Sequence, residues 1–291
     1  MKLINLKSPI IIAGPCAAES RKQMLENALV FKKMGGLIFR ASGYKPRTVR
    51  SWSGMYHESK DKRQEFLDGL VEIANLGMIP ATEVRNVSMA KDIIKTIKQK
   101  SNNPQVLIWI GSRMQEHLDQ DEIGELVSTQ GGGVYLMIKN QPWKSEKHWL
   151  GILSHVLGDE ERAKKLEGKI ILCHRGFDPG TEEPRNPNSY RNPHDLAMAL
   201  RVKETSDLSM IIDPSHIGGT TANVEKVIEE TLTFSQNLGK NFDGFIIETR
   251  IDPGNALTDS NQHLTWDKLA GLILKLYRKL NREDENSIWT T

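Results

Sequence analysis

The sequence lacks the features of several large classes of protein. Its 291 residues include only two cysteines, Cys16 and Cys173, too few for a disulfide framework, so we expect a cytoplasmic protein. No apolar run reaches the roughly 18 residues that a membrane span needs. The first residues enter a predicted strand directly, so we expect no signal peptide and no membrane partner.

An excess of charge of one sign is also lacking. The 39 Lys and Arg residues nearly balance the 37 Asp and Glu residues, which leaves a net charge of +2. A nucleic-acid partner is therefore not expected, because such proteins present a broad basic field. Hydrophobic residues make up 38% and charged residues 26%, which is typical of a globular protein with a sizeable core. Any function that needs positive charge must depend on local clusters.

What the sequence does contain is a regular alternation of short apolar runs and helical patterns. Strands are predicted at 9–13, 37–41, 79–84, 106–110, 134–138, 169–173, 208–212 and 245–247, and helices at 21–34, 61–76, 88–98, 121–128, 145–157, 195–204, 223–238 and 265–280. One helix follows each strand, which predicts a parallel sheet. Eight such units favour an α/β fold with a closed (β/α)8 TIM barrel; an open doubly wound sheet is the alternative. Residues 1–291 are predicted to form this single domain, with a frayed tail at 282–291.

Polar side chains follow several predicted strands, at the end where α/β barrels carry their active sites. Cys16 follows the first strand, His216 follows the seventh, Glu248 closes the eighth, and Asp259 lies in the next loop. A thiolate, an imidazole and two carboxylates suit Mn, Fe, Co or Zn. These residue types predict a divalent-metal site, although a single cysteine or aspartate is more often a core residue or a cap.

Positive side chains stand at the ends of four other predicted strands: Lys45 and Arg47, then Arg113, Lys139 and Arg175. Phosphate esters carry about −1.5 to −2 charges near neutral pH, and arginine binds them in a bidentate fashion. The set therefore predicts a site for two phosphorylated substrates. The alternative is that these are ordinary surface cations.

Alternation along the strands assigns some neighbours to opposite faces. Cys173 shares a face with Arg175 and is expected to be a core thiol beneath it, while His174 faces the helix layer. The same rule places Arg250 near the metal site. Glu83, which ends the third strand, is either an acid facing the cations or a structural ion-pair partner.

Seven motifs in this order resemble those of 3-deoxy-heptulosonate-7-phosphate (DAHP) synthases. They are Gly14-Pro-Cys-Ala-Ala-Glu-Ser20, Lys45-Pro-Arg-Thr48, Gly111-Ser-Arg113, Lys139-Asn, His174-Arg-Gly-Phe177, Asp213-Pro-Ser-His-Ile-Gly-Gly219 and Ala256-Leu-Thr-Asp259. The resemblance covers about residues 8–275. It is closest to the short, barrel-only type, including versions fused to a chorismate mutase.

The resemblance implies a transferase that condenses phosphoenolpyruvate with erythrose 4-phosphate in the first step of the shikimate pathway. It implies the following roles: Cys16, His216, Glu248 and Asp259 as ligands of Mn, Fe, Co or Zn; Lys45, Arg113, Lys139 and Arg175 as the phosphoenolpyruvate site; and Arg47 and Thr48 as the erythrose 4-phosphate site. Lys45, Cys16 and His216 are the expected catalytic residues. Glu83 and Arg250 are further candidates for substrate binding.

Some residues depart from the family pattern, and three hypotheses stay open. Arg250 stands where the family usually has a histidine, and Asn140 follows Lys139 where many short members have arginine. A synthase that uses another phosphorylated aldose, as in 3-deoxy-octulosonate-8-phosphate synthases, is therefore an alternative. A non-catalytic barrel that regulates a partner is the third hypothesis. The family also implies a homodimer or homotetramer and, among possible partners, a separate chorismate mutase.

Overall fold

The computed structural model describes residues 9–46, 51–180 and 189–279, and within them eight parallel strands close into a barrel. The strands are β1 (Ile10–Gly14), β2 (Ile38–Arg40), β3 (Ile79–Val84), β4 (Val106–Ile110), β5 (Val134–Lys139), β6 (Ile170–His174), β7 (Ser209–Ile212) and β8 (Gly244–Glu248). Each strand pairs with the next, and β8 pairs with β1 from Ile10↔Gly244 to Gly14↔Glu248. The predicted (β/α)8 barrel is confirmed, and the open sheet is wrong.

The helices surround the barrel. They are α1 (Arg21–Lys33), α2 (Met55–Glu58), α3 (Lys60–Asn75), α4 (Val87–Lys100), α5 (His117–Thr129), α6 (Glu146–Leu157), α7 (Glu160–Leu166), α8 (Leu196–Ser206), α9 (Pro214–Gly218), α10 (Thr221–Leu238) and α11 (Trp266–Lys279). Three short helices, α2, α7 and α9, were not predicted, because one or two turns are too short to show helical periodicity. The segment at α9 was expected to be a loop.

Two apolar layers fill the barrel and its surroundings. Inside the barrel, Ile12, Leu107, Trp109 and Cys173 pack with side chains of the other strands, while residues of the opposite strand faces pack against the helices. The strands are apolar on both faces because both faces are covered, as in other parallel barrels. Cys173 is the predicted core thiol in this interior.

Side-chain caps fix where the helices begin after the strand-end loops. Ser20, Asn86, Asp195 and Thr220 each accept a hydrogen bond from the backbone N–H three residues ahead. Each such cap contributes about 1 kcal/mol. The helix starts therefore hold the loops that carry the polar strand-end residues.

Gly14 lets the loop after β1 approach β2 closely. Its φ of +146° and the short distance to the Arg40 carbonyl oxygen, 2.1 Å from where a Cβ would lie, leave no room for another residue. This close approach places Cys16 at the rim of the barrel, where it meets the end of β8.

Candidate active site

A cavity of about 310 Å³ opens at the carboxyl ends of the strands, above the packed interior. It is lined by Lys45, Pro46, Ser51, Glu83, Gly111, Ser112, Arg113, Lys139, Arg175, Arg191, His216 and Asp259. Cations clearly outnumber acids among these side chains. The cavity therefore favours an anionic ligand although the whole chain is nearly neutral.

Three of the four predicted metal ligands meet on one side of this cavity. The Cys16 Sγ and one carboxylate oxygen each of Glu248 and Asp259 all lie within 4.8 Å of one another. Cys16 and Glu248 are buried, and Asp259 is half-buried. Together with His216 we name these residues the ligand wall.

The fourth predicted ligand, His216, lies at the edge of this group. Its Nε2 is 3.7 Å from Glu248 Oε1, and its Nδ1 is 2.8 Å from Asp213 Oδ2. Asp213 caps α9 and also accepts the His216 backbone N–H. Burial lowers the pKa of His216 although Asp213 and Glu248 oppose this. The imidazole is therefore neutral at pH 7, which is the form that binds metal ions.

Lys45 brings an ammonium group against the ligand wall. Its Nζ lies 2.7 Å from the Cys16 Sγ and 3.9 Å from Asp259 Oδ2. Burial opposes the positive charge, yet neighbouring Cys16, Glu248 and Asp259 raise the pKa of Lys45. Burial also raises the pKa of the Cys16 thiol, which donates to Asp259 Oδ2 at 3.2 Å.

Cations keep both carboxylates of the ligand wall ionised. Arg40 Nη2 is 3.2 Å from Glu248 Oε1. Burial raises the pKa of Glu248, but His216, in its protonated form at low pH, and Arg40 outweigh burial and lower this pKa to about 2. Arg191 Nη1 lies 2.7 Å from Asp259 Oδ1. Lys45 and Arg191 likewise outweigh burial and lower the pKa of Asp259. Both acids are therefore anionic at neutral pH.

Three further cations line the cavity, Arg113, Lys139 and Arg175, and we name them the cation wall. Lys139 Nζ is 2.6 Å from Asp213 Oδ2. Arg113 is exposed and donates to the Pro46 carbonyl at 3.3 Å. Burial is the main reason that the pKa of Arg175 is lowered to about 10. Within the described ranges Arg175 has no ion-pair partner, so a bound anion would stabilise it.

Asn140, which departs from the family pattern, forms hydrogen bonds with the backbone that carries Arg175 of the cation wall. Its Oδ1 accepts the Arg175 backbone N–H at 2.7 Å, and its Nδ2 donates to the Gly176 carbonyl at 2.8 Å. The next residue, Gln141, instead donates to the carbonyls of Trp143 and Ser145. The Asn140 amide thus fixes the backbone that carries Arg175.

Five residues of the site were not assigned a role from the sequence: Arg40, Arg191, Asp213, Gln262 and His263. An arginine at the end of the apolar strand β2 and an aspartate directly after β7 are signals that could have indicated two of them. Gln262 donates to Glu248 Oε2 at 2.6 Å, and His263 accepts the Cys16 backbone N–H at 3.0 Å. Gln262 and His263 lie in the loop after β8, where no helix or strand periodicity predicts which way a side chain points.

The remaining predicted residues differ in their placement. Glu83 lines the same cavity as the cations, accepts from Trp109 Nε1 at 3.3 Å and has no ion pair with any described residue; its role in substrate binding stays a prediction. Arg250 Nη1 is 2.9 Å from Glu19 Oε1, and Arg250 is not among the described residues that line the cavity. Its role in substrate binding stays a prediction. Arg47 and Thr48 lie outside the described residues.

The ligand wall fits a divalent cation. It offers a thiol, two ionised carboxylates and a neutral imidazole, a mixed donor set that suits Mn, Fe, Co or Zn. The buried Glu248 Oε1 has no hydrogen-bond donor among the described residues, although Arg40 and His216 face it. A bound metal ion would give this oxygen a partner. It would also displace the Cys16 proton, because the thiolate is the form of cysteine that binds metal ions.

Comparison with known proteins agrees with this arrangement. Residues 5–282 match the model of a family described as the DAHP synthetase I family. The chain belongs to this family. The predicted resemblance to DAHP synthases is confirmed, as is the prediction of an enzyme, a 3-deoxy-7-phosphoheptulonate synthase of the transferase class. Membership in the DAHP synthetase I family supports the condensation step of the shikimate pathway.

Proteins from Thermotoga maritima are similar to this chain along most of its length. The phospho-2-dehydro-3-deoxyheptonate aldolase of this organism is 26% identical over 271 residues, which are 91% of this chain and 68% of that protein. The crystal structure of the aldolase (DAHP synthase) has a TM-score of 0.71 at 25% identity and covers 94% of this chain and 69% of that one. A truncated 3-deoxy-D-arabino-heptulosonate 7-phosphate synthase, at 23% identity and a TM-score of 0.67 over 94% and 87% of the two chains, shares the fold.

Fewer observations bear on the location and the partners of the protein. Among the described residues, no helix combines the length and the apolar character that crossing a membrane requires. The cytoplasmic location, the homo-oligomer and the separate chorismate mutase stay predictions.

Proposed function

We propose that this member of the DAHP synthetase I family is a divalent-metal-dependent enzyme that joins phosphoenolpyruvate to erythrose 4-phosphate and releases phosphate. One observation carries the proposal: the ligand wall, with three donor atoms within 4.8 Å, and the cation wall both reach one cavity. Two phosphorylated substrates repel each other in water. Fixed cations next to a metal site would hold them together in a reactive orientation.

The cation wall would bind phosphoenolpyruvate. Lys139 is held in place by Asp213, so its ammonium needs no rearrangement to meet a phosphate or carboxylate. Arg175, partly buried and without an ion-pair partner in the described part of the chain, would gain a bidentate contact. Arg113, exposed at the mouth, would complete the contact. Arg47 and Thr48 are the proposed residues for the erythrose 4-phosphate end.

The ligand wall would hold Mn, Fe, Co or Zn through Cys16, His216, Glu248 and Asp259. A metal ion in this position supplies Lewis-acid polarisation of a carbonyl oxygen. Lys45 has two roles in the proposal. Its ammonium, 2.7 Å from Sγ, would stabilise the Cys16 thiolate, and it would give a proton to the aldehyde oxygen as that oxygen becomes a hydroxyl.

The proposed reaction balances with one water molecule. A bond forms between C3 of phosphoenolpyruvate and the aldehyde carbon, water adds at C2, and phosphate leaves from C2. The products are 3-deoxy-arabino-heptulosonate 7-phosphate and inorganic phosphate. Glu83, which lines the same cavity as the cations, is the acid that could hold the water.

Phosphate release from phosphoenolpyruvate tests the proposal. The Mn-loaded protein should release phosphate only when erythrose 4-phosphate is present, EDTA should stop the release, and added Mn should restore it. Release that continues after full removal of metal would contradict the metal dependence. Arabinose 5-phosphate in place of erythrose 4-phosphate tests the alternative aldose, and faster turnover with it would replace the proposed substrate.

A further inference from the structure

The loop after β8 contains a tight turn, residues 259–263, that contacts Glu248 and Cys16 of the ligand wall and also the neighbouring Arg191. Asp259 begins this turn in the left-handed conformation, with φ 52° and ψ 37°, which aspartate tolerates better than most residues. Gln262 Nε2 donates to Glu248 Oε2 at 2.6 Å, and Gln262 Oε1 accepts from Arg191 at 2.9 Å. The third contact is made by His263.

His263 joins the backbones of two proposed ligands. Its Nε2 lies 3.0 Å from the Cys16 backbone nitrogen, and its Nδ1 lies 3.0 Å from the Asp259 carbonyl oxygen. A backbone N–H can only donate and a carbonyl oxygen can only accept. Nε2 must therefore carry a lone pair and Nδ1 a proton, so both contacts are satisfied by one neutral tautomer only. The side chain is 2% exposed, which leaves no water to replace these bonds.

This imidazole spans a large separation along the chain. Cys16 and His263 are 247 positions apart, and no strand pairing fixes the turn to the loop that carries Cys16 within the described residues. Besides the direct contact between Cys16 Sγ and Asp259 Oδ2, the backbones of these two residues are therefore joined by a side chain that touches neither ligand atom.

We propose that His263 is a positioning residue of the metal site, which holds the Cys16 and Asp259 backbones so that their side chains converge on one ion. The inference rests on the proposed metal-dependent function. Groups that orient metal ligands affect metal affinity about 10- to 100-fold when they are removed. Gln262 orients Glu248 through a direct hydrogen bond to its carboxylate. Residues 262 and 263 together therefore link the turn to β8 and to the loop after β1.

The test is a Co²⁺ titration of the full chain, because cobalt bound to a thiolate gives a charge-transfer absorption that reports on Cys16. His263→Leu removes both hydrogen bonds and should weaken Co²⁺ binding about 10- to 100-fold while reducing this absorption. His263→Gln places an amide oxygen near the position of Nε2 and should stay close to wild type. His263→Asn can reach only the Asp259 carbonyl, so it should resemble His263→Leu.

His174→Gln is the matched control. His174 is also buried, and its Nε2 also accepts a backbone N–H, from Asp195 at 3.0 Å, but it faces the helix layer. This variant should keep wild-type Co²⁺ affinity and absorption. Melting temperatures of the metal-free proteins separate a general loss of stability from a loss at the site.

The outcomes distinguish a failure of the positioning role of His263 from a failure of the proposed metal-dependent function. Wild-type affinity and absorption in His263→Leu would overturn the positioning role and leave the metal-dependent function standing. If His263→Leu does not fold, equal affinities of the Gln and Asn variants would overturn the role. A wild-type protein that binds no Co²⁺, or a Cys16→Ala variant that keeps the thiolate absorption, would overturn both proposals.

Discussion

The ligand wall and the cation wall differ in how completely their charges are already paired. On the ligand wall, Arg40 stands against Glu248 and Arg191 against Asp259. On the cation wall, Lys139 is paired with Asp213, but among the residues described Arg113 donates only to a backbone carbonyl and Arg175 has no ion-pair partner. The ligand wall is therefore organised by the chain itself, whereas in the proposed function the two arginines of the cation wall gain their partner from an anionic substrate.

Because of this difference, ligand binding has a different free-energy cost at each wall. A buried carboxylate with a partner needs no rearrangement before it binds a cation, since its orientation is fixed by hydrogen bonds. A partly desolvated guanidinium without a partner is destabilised until an anion arrives, so part of the binding free energy offsets that penalty. Changes in the two walls should therefore affect different measured quantities.

The largest expected effect comes from Cys16→Ala, which removes a donor atom from the ligand wall. Lewis-acid activation contributes several kcal/mol, and each 1.36 kcal/mol is a factor of ten in rate. Phosphate release should therefore fall by roughly a thousandfold. Cys173→Ala is the matched control, because this thiol packs inside the barrel, and it should keep most of the activity. Similar rates in the two variants would break the distinction between the walls.

Arg175→Gln should have the next largest effect, confined to the cation wall. Hydrogen bonds to charged groups contribute about 1.5–3 kcal/mol, so kcat/KM for phosphoenolpyruvate should fall roughly 10- to 150-fold. Metal affinity should not change. Arg175→Lys keeps the charge without the planar fork and should recover only part of the loss. A parallel loss of metal affinity would show that the walls are not independent.

Asn140→Ala tests whether the backbone behind Arg175 positions that side chain. Loss of the amide leaves the Arg175 N–H and the Gly176 carbonyl without their present partner, at a cost of about 1 kcal/mol or more. We expect roughly a fivefold rise in KM for phosphoenolpyruvate. Gln141→Ala removes a neighbouring buried amide whose bonds go elsewhere. It should lower the melting temperature similarly but leave KM unchanged.

The last effect is on stability and not on activity, and it concerns pH and His174, which stacks on Trp149 on the helix side of β6. Burial lowers the pKa of His174 from 6.5 to about 3. Between these values the unfolded chain binds a proton that the folded chain does not, so stability falls as pH falls. The slope from this group is about 1 kcal/mol per pH unit.

Urea unfolding at several pH values between 6 and 4 measures that slope. His174→Gln should make it shallower but not flat, because burial also lowers the pKa values of His216 and His263. An unchanged slope in the variant would contradict the neutral state of His174. His174 lies on the helix side of β6, whereas His216 belongs to the ligand wall and His263 contacts it.

The fold could be predicted from the sequence because its signal is local and repeated. Each apolar strand and each helical pattern occupies a continuous stretch, and alternation within β6 correctly assigned Cys173 to the interior and His174 to the helix layer. Short helices such as α9 were missed. There, one Asp213 cap and a proline at the first turn produce a helix too brief for periodicity.

The candidate site could be predicted only in part. Strand-end position brought Cys16, Glu248 and Asp259 together correctly as neighbours in the cavity wall, since the carboxyl ends of barrel strands share one rim. The residues that orient them were not predictable. His263 and Arg191 act through irregular loops, where contacts depend on side chains far apart in the sequence. Arg250 was expected beside the metal, but its ion pair is with Glu19.

The 243 positions between Cys16 and Asp259 have a consequence for synthesis of the chain. A ribosome that adds about 5–20 residues per second needs roughly 12–50 s to pass from one to the other. For most of that interval the first strand has no eighth strand to pair with, and neither Glu248 nor Asp259 lies beside the Cys16 thiol. In the proposed function, the complete ligand wall would therefore be available to a metal ion only after translation has passed the last strand.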